Sequence, residues 1–222
     1  SSLPINTKYS TFDSLRMRIA DLRGRGVYRG YPDEHRCVFI HIPKAAGTSL
    51  TKTLFAAPSR HLQYTEYERA NPKKFKKYFK FTFVRNPYDR LFSAYSFLKK
   101  GGLNELDRNW AEQHLAAYPD FESFVHGWVT PENIWSWVHF KPQHFWICDS
   151  DYNLKVDFVG RFERMDEDVA IVQTRLGMSV KPLPKINVTN SFIKAPVPCS
   201  PAMRAIVEKA YSKDIELFSY KL

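Results

Sequence analysis

The chain has 222 residues, 44% of them hydrophobic and 15% aromatic, with 33 Lys and Arg against 23 Asp and Glu. This length supports one sizeable hydrophobic core and leaves little room for two full domains. The net charge of +10 favours an anionic partner such as a nucleotide, a polyanion, a nucleic acid or a membrane surface. Cys37, Cys148 and Cys199 show no CxxC spacing, which excludes a recognisable disulfide framework or thiolate zinc site.

Strands alternate with helices along the predicted chain. Hydrophobic periodicity predicts helices at 12–22, 48–55, 89–99, 110–118, 121–128, 165–176 and 201–218, and strands at 37–42, 79–84 and 157–162. This order predicts an α/β fold, a single domain over residues 1–222 with a central parallel sheet flanked by helices. Residues 1–36 form a helical lead-in, and residues 37–222 form the core.

The first strand is followed by a turn rich in phosphate-binding residue types, within CVFIHIPKAAGTSLTKTLF. A helix that begins after such a turn presents backbone N–H groups and the positive end of its dipole to an anion. Gly47 permits close approach, Thr48 and Ser49 supply hydroxyls, and Lys44 adds a positive charge. The sequence therefore predicts a P-loop-like anion cradle, with an ordinary turn capped by Thr48 or Gly47 as the alternative.

The position of the lysine distinguishes this turn from the loop of nucleotide kinases. Those enzymes carry G-x-x-x-x-G-K-[ST], in which Lys follows the last glycine and a hydroxyl binds Mg²⁺. Here Lys44 precedes Gly47. The order favours a phosphate ligand that needs no metal.

A second strand, turn and helix of the same design follows in FKFTFVRNPYDRLFSAYSFLKK. Arg85, Asn86 and Pro87 make the turn. In a parallel sheet, ligands gather at the carboxyl ends of the strands, so we expect both turns to face one crevice.

These two segments together resemble the PAPS-dependent sulfotransferases of the carbohydrate group (sulfotransferase family 2), where PAPS is 3′-phosphoadenosine 5′-phosphosulfate. HIPKAAGTSL is similar to the 5′-phosphosulfate loop, and FVRNPYDRLFSAY to the 3′-phosphate segment. VDFVGRFERMDED and the closing YSKDIELFSY also match the family's pattern. Two departures are Ala45, where Thr is common, and Lys185, where many relatives have His.

The resemblance implies transfer of a sulfuryl group from PAPS to a hydroxyl, or less favourably an amine, without a metal, leaving 3′-phosphoadenosine 5′-phosphate (PAP). Lys44 would bond the oxygen that bridges sulfur and the 5′-phosphate, and Arg85 with Ser93 would hold the 3′-phosphate. The implied nucleotide-binding residues are Lys44, Ala45, Ala46, Gly47, Thr48, Ser49, Arg85 and Ser93.

An acceptor hydroxyl needs a general base, and histidine suits neutral pH. His61 stands between the two phosphate segments, in a context similar to that of the catalytic histidine of uronyl 2-O-sulfotransferases. A capping or surface role is the alternative for His61. His139, His144 and Glu66 are the reserve candidates.

The acceptor is expected to be a small molecule or an oligosaccharide, not a nucleic acid, and oligomeric state is not predicted. The runners-up are a P-loop-type kinase and a noncatalytic polyanion-binding module built on the lysines between Lys73 and Lys80, which otherwise form a solvated helix face. The aromatic cluster from Trp128 to Trp146 predicts core packing, with sugar stacking as the alternative. The sequon at Asn187 is interpreted as accidental.

No signal peptide pattern and no apolar run of about 18 residues is found, which excludes a membrane span in this sequence. A cytoplasmic, bacterial-like location is favoured. The Golgi lumen is the alternative if an anchor once preceded Ser1.

Overall fold

The computed structural model describes residues 10–184 and 196–222. Lys185 and the sequon at Asn187 lie outside the described residues. The chain divides into two compact units. The first unit holds the described residues up to Val84 together with Gln143–Pro184, and the second holds Arg85–Pro142 together with 196–222. A single domain over residues 1–222 stays a prediction.

The secondary structure alternates as the sequence predicts. The strands are β1 (Cys37–Ile40), β2 (Phe79–Val84) and β3 (Phe158–Arg161). The α-helices are α1 (Thr11–Leu22), α2 (Tyr31–His35), α3 (Gly47–Phe55), α4 (Tyr64–Ala70), α5 (Pro72–Lys77), α6 (Pro87–Lys99), α7 (Glu105–His114), α8 (Phe121–Trp128), α9 (His144–Ile147), α10 (Met165–Arg175), α11 (Pro201–Ala210) and α12 (Ser212–Phe218). Short 3₁₀ turns occupy Asn133–Ser136 and Phe162–Arg164.

The first unit is built on a parallel sheet with the strand order β1-β2-β3. Cys37 pairs with Phe79, and Phe81 pairs with Phe158. All four residues of β1 are buried, as parallel strands covered by helices require. Side chains of β1, β2, α3 and α10 form one hydrophobic cluster. The predicted α/β fold with a parallel sheet and flanking helices is confirmed.

The VDFVGRFERMDED segment contains β3, and residues on either side of the strand fix it against β2. The Asp157 N–H donates to the Lys80 carbonyl at 2.8 Å, and the Asp157 carboxylate accepts from the Lys80 N–H at the same distance. A Cβ at Gly160 would collide with the Phe83 ring of β2. The buried Asp168 accepts from the Arg161 N–H at 2.7 Å. This motif therefore has a structural role in the sheet.

The second unit is packed around aromatic side chains from α6, α7 and α8, with apolar side chains of α11 against them. Trp110, Phe124, Trp128 and Phe140 are buried there in mutual ring contact. Tyr211 donates a hydrogen bond to the Phe140 carbonyl at 2.7 Å. The predicted core packing is confirmed for Trp128 and Phe140, whereas Trp135 and Trp137 are only partly buried against this core. Phe145 and Trp146 are buried in the first unit instead.

A buried arginine explains the closing motif YSKDIELFSY. Arg90 of α6 is 2% exposed and donates to the Lys141 carbonyl at 2.8 Å. Burial lowers the pKa of Arg90, whereas Tyr211 and Asp214 raise it. Asp214 itself is fully buried. The motif thus places a carboxylate and a phenol beside a buried cation.

Several predicted boundaries were wrong. β1 ends at Ile40 rather than residue 42, and the helix predicted at 110–118 begins earlier, at Glu105, and ends at His114. The helix predicted at 201–218 is interrupted at Tyr211 to give α11 and α12. Helices α2, α4, α5 and α9 were not predicted because each has seven residues or fewer, too short for a clear period.

The lysine-rich segment is divided between surface and interior. Lys74 pairs with Asp21 at 3.2 Å and with Asp33 at 2.9 Å. Lys80 is buried and pairs with Asp157 at 3.2 Å. The exposed lysines of this segment are Lys73, Lys76 and Lys77. Lys74 and Lys80 are therefore engaged in structural ion pairs, which leaves three of the five lysines exposed for the alternative of polyanion binding.

No helix in the described ranges, 10–184 and 196–222, is both long and apolar enough to cross a membrane.

Candidate active site

The turn between β1 and α3 has an unusual backbone. Lys44 and Ala46 adopt left-handed φ values of 65° and 75° although neither is glycine. Non-glycine residues in this region carry strain, which is commonly found at functional sites. Ala46 is the N-cap of α3 and makes no side-chain capping bond. The expected cap at Thr48 or Gly47 is therefore wrong, because α3 already begins at Gly47.

The start of α3 presents donors to an anion. In any helix the first four N–H groups have no intrahelical acceptor, and here Leu50 is the residue whose N–H reaches back to Ala46, at 3.4 Å. The Thr48 side chain is exposed, and that of Ser49 is half-buried. The Thr51 hydroxyl instead donates to the Gly47 carbonyl at 2.6 Å. Unbonded backbone N–H groups at a helix start, hydroxyls and a lysine are the kinds of group that bind phosphate or sulfate, and we call this start of α3 with Lys44 the candidate cradle.

His41 lies directly beneath this cradle. Its ring is 4% exposed, and a Cβ at residue 47 would collide with it, so Gly47 is needed for the close approach of ring and helix. The Ser59 hydroxyl forms a hydrogen bond with Nδ1 of His41. Burial, and then the nearby His61 and Lys44, hold the pKa of His41 well below its ordinary value of 6.5. His41 is therefore neutral at pH 7.

His61 lies over His41, in the same unit as Lys44. The two imidazole centroids are 4.2 Å apart, and the ring planes are tilted by 38°. On its other side, His61 lies 6.5 Å from the ring centroid of Trp146. His41 is buried whereas His61 is exposed, so the upper ring can meet a substrate.

One hydrogen bond sets the tautomer of His61. Its Nδ1 lies 3.3 Å from the backbone carbonyl oxygen of His41. A carbonyl only accepts hydrogen bonds, so Nδ1 carries the proton. In a neutral imidazole protonated at Nδ1, the lone pair that can take a proton is on Nε2. The arrangement therefore prepares Nε2 of His61 to act as a base.

The reserve candidates in the first unit have other contacts. Glu66 accepts from the Gln63 N–H at 2.8 Å and completes a capping box at the start of α4. His144 is 6% exposed, and its ring packs edge-on against Tyr152 at 5.4 Å. These contacts favour structural roles for Glu66 and His144.

The second predicted phosphate segment, in the second unit, is organised by side chains. Asn86 caps α6 by accepting from the N–H groups of Tyr88 at 2.9 Å and Asp89 at 3.4 Å. Arg85 is 8% exposed. Burial raises the pKa of Asp89 above its ordinary value, and the charge of Arg85 lowers it by a smaller amount. Ser93 is half-buried within α6, more than one turn beyond the start of the helix at Pro87.

His139 also lies in the second unit. Its Nε2 is 3.0 Å and 3.2 Å from the two carboxylate oxygens of Asp107. The same carboxylate accepts from the Trp137 indole at 3.1 Å and from the Leu103 N–H at 3.0 Å. The ring is 7% exposed. A carboxylate-bound, buried imidazole of this kind favours a structural role.

Two residues of the candidate site, His41 and Ser59, were not assigned a role from the sequence, and Trp146 was assigned only to the aromatic cluster. His41 is the first letter of HIPKAAGTSL, so the motif contained it without indicating what its side chain contacts. Ser59 and Trp146 contact this group from a loop and from α9, and no spacing in the sequence links them to it. Within the described ranges, no three His, Cys, Asp or Glu side chains are grouped to hold a metal ion.

Comparisons with known proteins identify the family of the chain. The sequence model of the Sulfotransferase family matches residues 31–221. Carbohydrate sulfotransferase 12 of Xenopus laevis is 24% identical over 289 aligned positions, which cover 99% of this chain and 65% of the relative. The chain thus spans 65% of that relative's length. No solved structure gives a significant match. With the family model matched from the helix before β1 to the end of the closing motif, the chain belongs to the sulfotransferase family.

Proposed function

We propose that this protein transfers a sulfuryl group from PAPS to a hydroxyl of a carbohydrate or another small hydroxylated acceptor. Membership of the sulfotransferase family supports the reaction class. The similarity to a carbohydrate sulfotransferase supports a carbohydrate acceptor. The observation that carries the proposal is the uncapped start of α3 beside Lys44, with a histidine pair directly beneath and beside it.

PAPS supplies an activated sulfuryl group on a bridging oxygen. In this proposal, the N–H groups from Ala46 to Ser49 and the hydroxyls of Thr48 and Ser49 hold the 5′-phosphate. The predicted contact from Ala45 is not part of it, because the Ala45 N–H already donates to the Ile42 carbonyl at 3.3 Å. Lys44 donates to the bridging oxygen and stabilises the negative charge that develops there as the sulfur–oxygen bond breaks. Arg85 and Ser93 hold the 3′-phosphate, a role supported by their match to the family's second motif.

His61 acts as the general base in this proposal. The acceptor hydroxyl oxygen forms a bond to sulfur while the bond from sulfur to the bridging oxygen breaks, and PAP leaves. Nε2 of His61 takes the hydroxyl proton. No covalent bond to the protein is formed, so positioning and charge stabilisation supply the rate enhancement.

Calorimetric titration tests the donor. PAP is compared with AMP, which lacks the 3′-phosphate, and with ADP and ATP in the presence and absence of Mg²⁺. We expect PAP to bind without metal and AMP to bind at least tenfold more weakly, a difference of about 1.4 kcal/mol. Tighter binding of ATP with Mg²⁺ would instead support the P-loop kinase.

Transfer of labelled sulfate tests the reaction. The donor is ³⁵S-labelled PAPS, and the acceptors are a panel of neutral and uronate-containing oligosaccharides. Incorporation that falls to a small residual level in His61→Ala but not in His114→Ala supports the proposal. His114 is a matched control, because it is also an exposed histidine stacked on an aromatic ring, Trp110, at 4.7 Å.

A further inference from the structure

We propose that the His41 side chain is a positioning residue for the base: a buried ring that holds the His61 imidazole in the orientation needed for proton transfer. The inference rests on the proposed function of His61 and extends it to a second histidine that touches neither donor nor acceptor. His41 acts through His61, so it is not itself a catalytic residue.

A buried backbone and two contacts fix the His41 ring before it meets His61. It extends from the carboxyl end of β1, where the backbone is buried. Its Nδ1 is bonded to the Ser59 hydroxyl. One edge lies against Gly47 so closely that no side chain fits at that position. A ring with these restraints cannot change rotamer without displacing the start of α3 or the loop that carries Ser59.

The same residue holds His61 by two separate groups. The imidazole of His41 lies 4.2 Å from that of His61 and provides a surface against which the exposed ring rests. The backbone carbonyl of His41 accepts from Nδ1 of His61 at 3.3 Å. The contact between the two rings restricts the tilt of the His61 ring, and the hydrogen bond to Nδ1 restricts its rotation. Together they define the position of Nε2 of His61.

The neutrality of His41 is part of this role. The titratable groups that act on its ring are His61 and Lys44, both of which are cationic when protonated. A charged His41 would repel Lys44 and would disfavour the protonation of His61 during proton transfer. Because burial keeps His41 neutral, the ring supports the base without competing for its proton.

The first test reads the tautomer of His61 directly. Nitrogen-15 NMR of the full chain labelled at histidine distinguishes imidazoles protonated at Nδ1 from those protonated at Nε2. The wild type should show His61 protonated at Nδ1, and His41→Phe should retain this because the ring surface remains. His41→Ala keeps the backbone carbonyl but loses the ring that holds Nδ1 of His61 against it, so this variant should give a mixture of tautomers. An unchanged Nδ1-protonated signal in His41→Ala would overturn the inference, whatever acceptor the enzyme uses.

The second test is a double-mutant cycle on turnover with the most active oligosaccharide of the panel. His41→Ala should lower kcat at least tenfold, with the Kd for PAP changed less than twofold. In the His61→Ala background the same substitution should have no further effect, because there is no base left to position. Multiplicative losses from the two substitutions would assign His41 a separate role and overturn the inference.

Chemical rescue separates positioning from general stability. Imidazole added to His61→Ala should restore part of the turnover by stacking on His41 in place of the missing ring. The rescue should persist in His41→Phe/His61→Ala and disappear in His41→Ala/His61→Ala. A merely structural role for His41 would lower stability without abolishing rescue, and equal rescue in both double variants contradicts the proposal.

Two further variants guard against a failure to fold. If His41→Ala does not fold, His41→Phe and Ser59→Ala provide the answer. The latter removes the bond to Nδ1 of His41 and should lower kcat about threefold while leaving PAP binding unchanged. No loss of kcat in Ser59→Ala and full tautomeric disorder in His41→Phe would together overturn the inference. A fully active His61→Ala would instead mean that the base assignment itself is wrong.

Discussion

The turns after β1 and after β2 have the same strand–turn–helix design but begin their helices differently. After β1, α3 begins at Gly47 with an N-cap, Ala46, that provides no side-chain acceptor. After β2, α6 begins at Pro87 with the Asn86 side chain bonded to two of its N–H groups. The first turn contains left-handed Lys44 and Ala46, whereas no residue of the second has a positive φ.

This difference separates two ways of binding phosphate. An uncapped helix start leaves its N–H groups for a ligand, and the ligand then performs the task of the missing cap. A capped start has already used those groups, so any phosphate held there depends on side chains such as Arg85 and Ser93. We therefore expect backbone recognition at α3 and side-chain recognition at α6, and mutations should affect the two turns differently.

The largest expected effect is that of Lys44→Ala. Loss of the charge that stabilises the leaving oxygen should lower kcat by about 10²–10³-fold, the range for removing one transition-state donor. PAP lacks the sulfuryl group, and the backbone N–H groups remain, so its Kd should rise only a few-fold. Rapid-quench kinetics and calorimetry measure the two quantities. Lys52→Ala, an exposed lysine of the same helix, is the control. Equal losses in kcat and affinity would mean that Lys44 binds the ground state.

A smaller effect is expected at the second turn, from Arg85→Ala. Side-chain recognition predicts that the affinity for PAP falls about 10- to 100-fold, as expected for a charge-assisted bond to phosphate. The preference for PAP over AMP should disappear with it. Arg85→Lys should recover only part of that preference, because lysine lacks the bidentate fork. An unchanged ratio of PAP to AMP affinity would exclude Arg85 from 3′-phosphate binding.

Sequence reasoning predicted the sheet but not the histidine pair, for a physical reason. Strand β2 was predicted at its observed bounds, Phe79–Val84. A segment of six residues rich in aromatic and β-branched side chains is too short for a typical helix and favours a strand. The Lys44 turn was predicted from residue types whose chemistry is local. The stack of His41 on His61 joins residues twenty positions apart through a loop whose path depends on packing. No local pattern encodes such a contact.

The same limit explains the closing motif. Tyr211 and Asp214 matched a family pattern, but their sequence gave no indication that both act on the buried Arg90 of α6. Conversely, Arg90 stands in a segment whose resemblance concerns phosphate binding, although its guanidinium bonds the Lys141 carbonyl. A motif therefore mixes functional and structural positions, and burial separates the two.

The caps themselves allow a comparison of stability with binding. Asn86→Ala should lower the free energy of unfolding by about 1 kcal/mol, because two N–H groups of α6 lose their acceptor. Thr48→Ala removes no cap from α3 and should change stability by less than about 0.5 kcal/mol, while it weakens PAP binding. Urea denaturation with and without PAP measures both variants. If Thr48→Ala were the more destabilising of the two, α3 would depend on a cap that its geometry does not contain.

The smallest effect expected is a pH dependence that comes from His41 in the first turn. Its folded pKa lies well below the ordinary value of 6.5, so the unfolded chain binds this proton first as the pH falls. Stability contributed by this site is therefore constant above about pH 7 and declines below pH 6.5. Between pH 7 and pH 6 the loss should be about 0.7 kcal/mol. His41→Phe should remove this part of the slope in urea titrations. An identical slope in wild type and His41→Phe would mean that the buried ring accepts a proton as readily as a solvated one, and the neutral support beneath His61 would then be lost in mild acid.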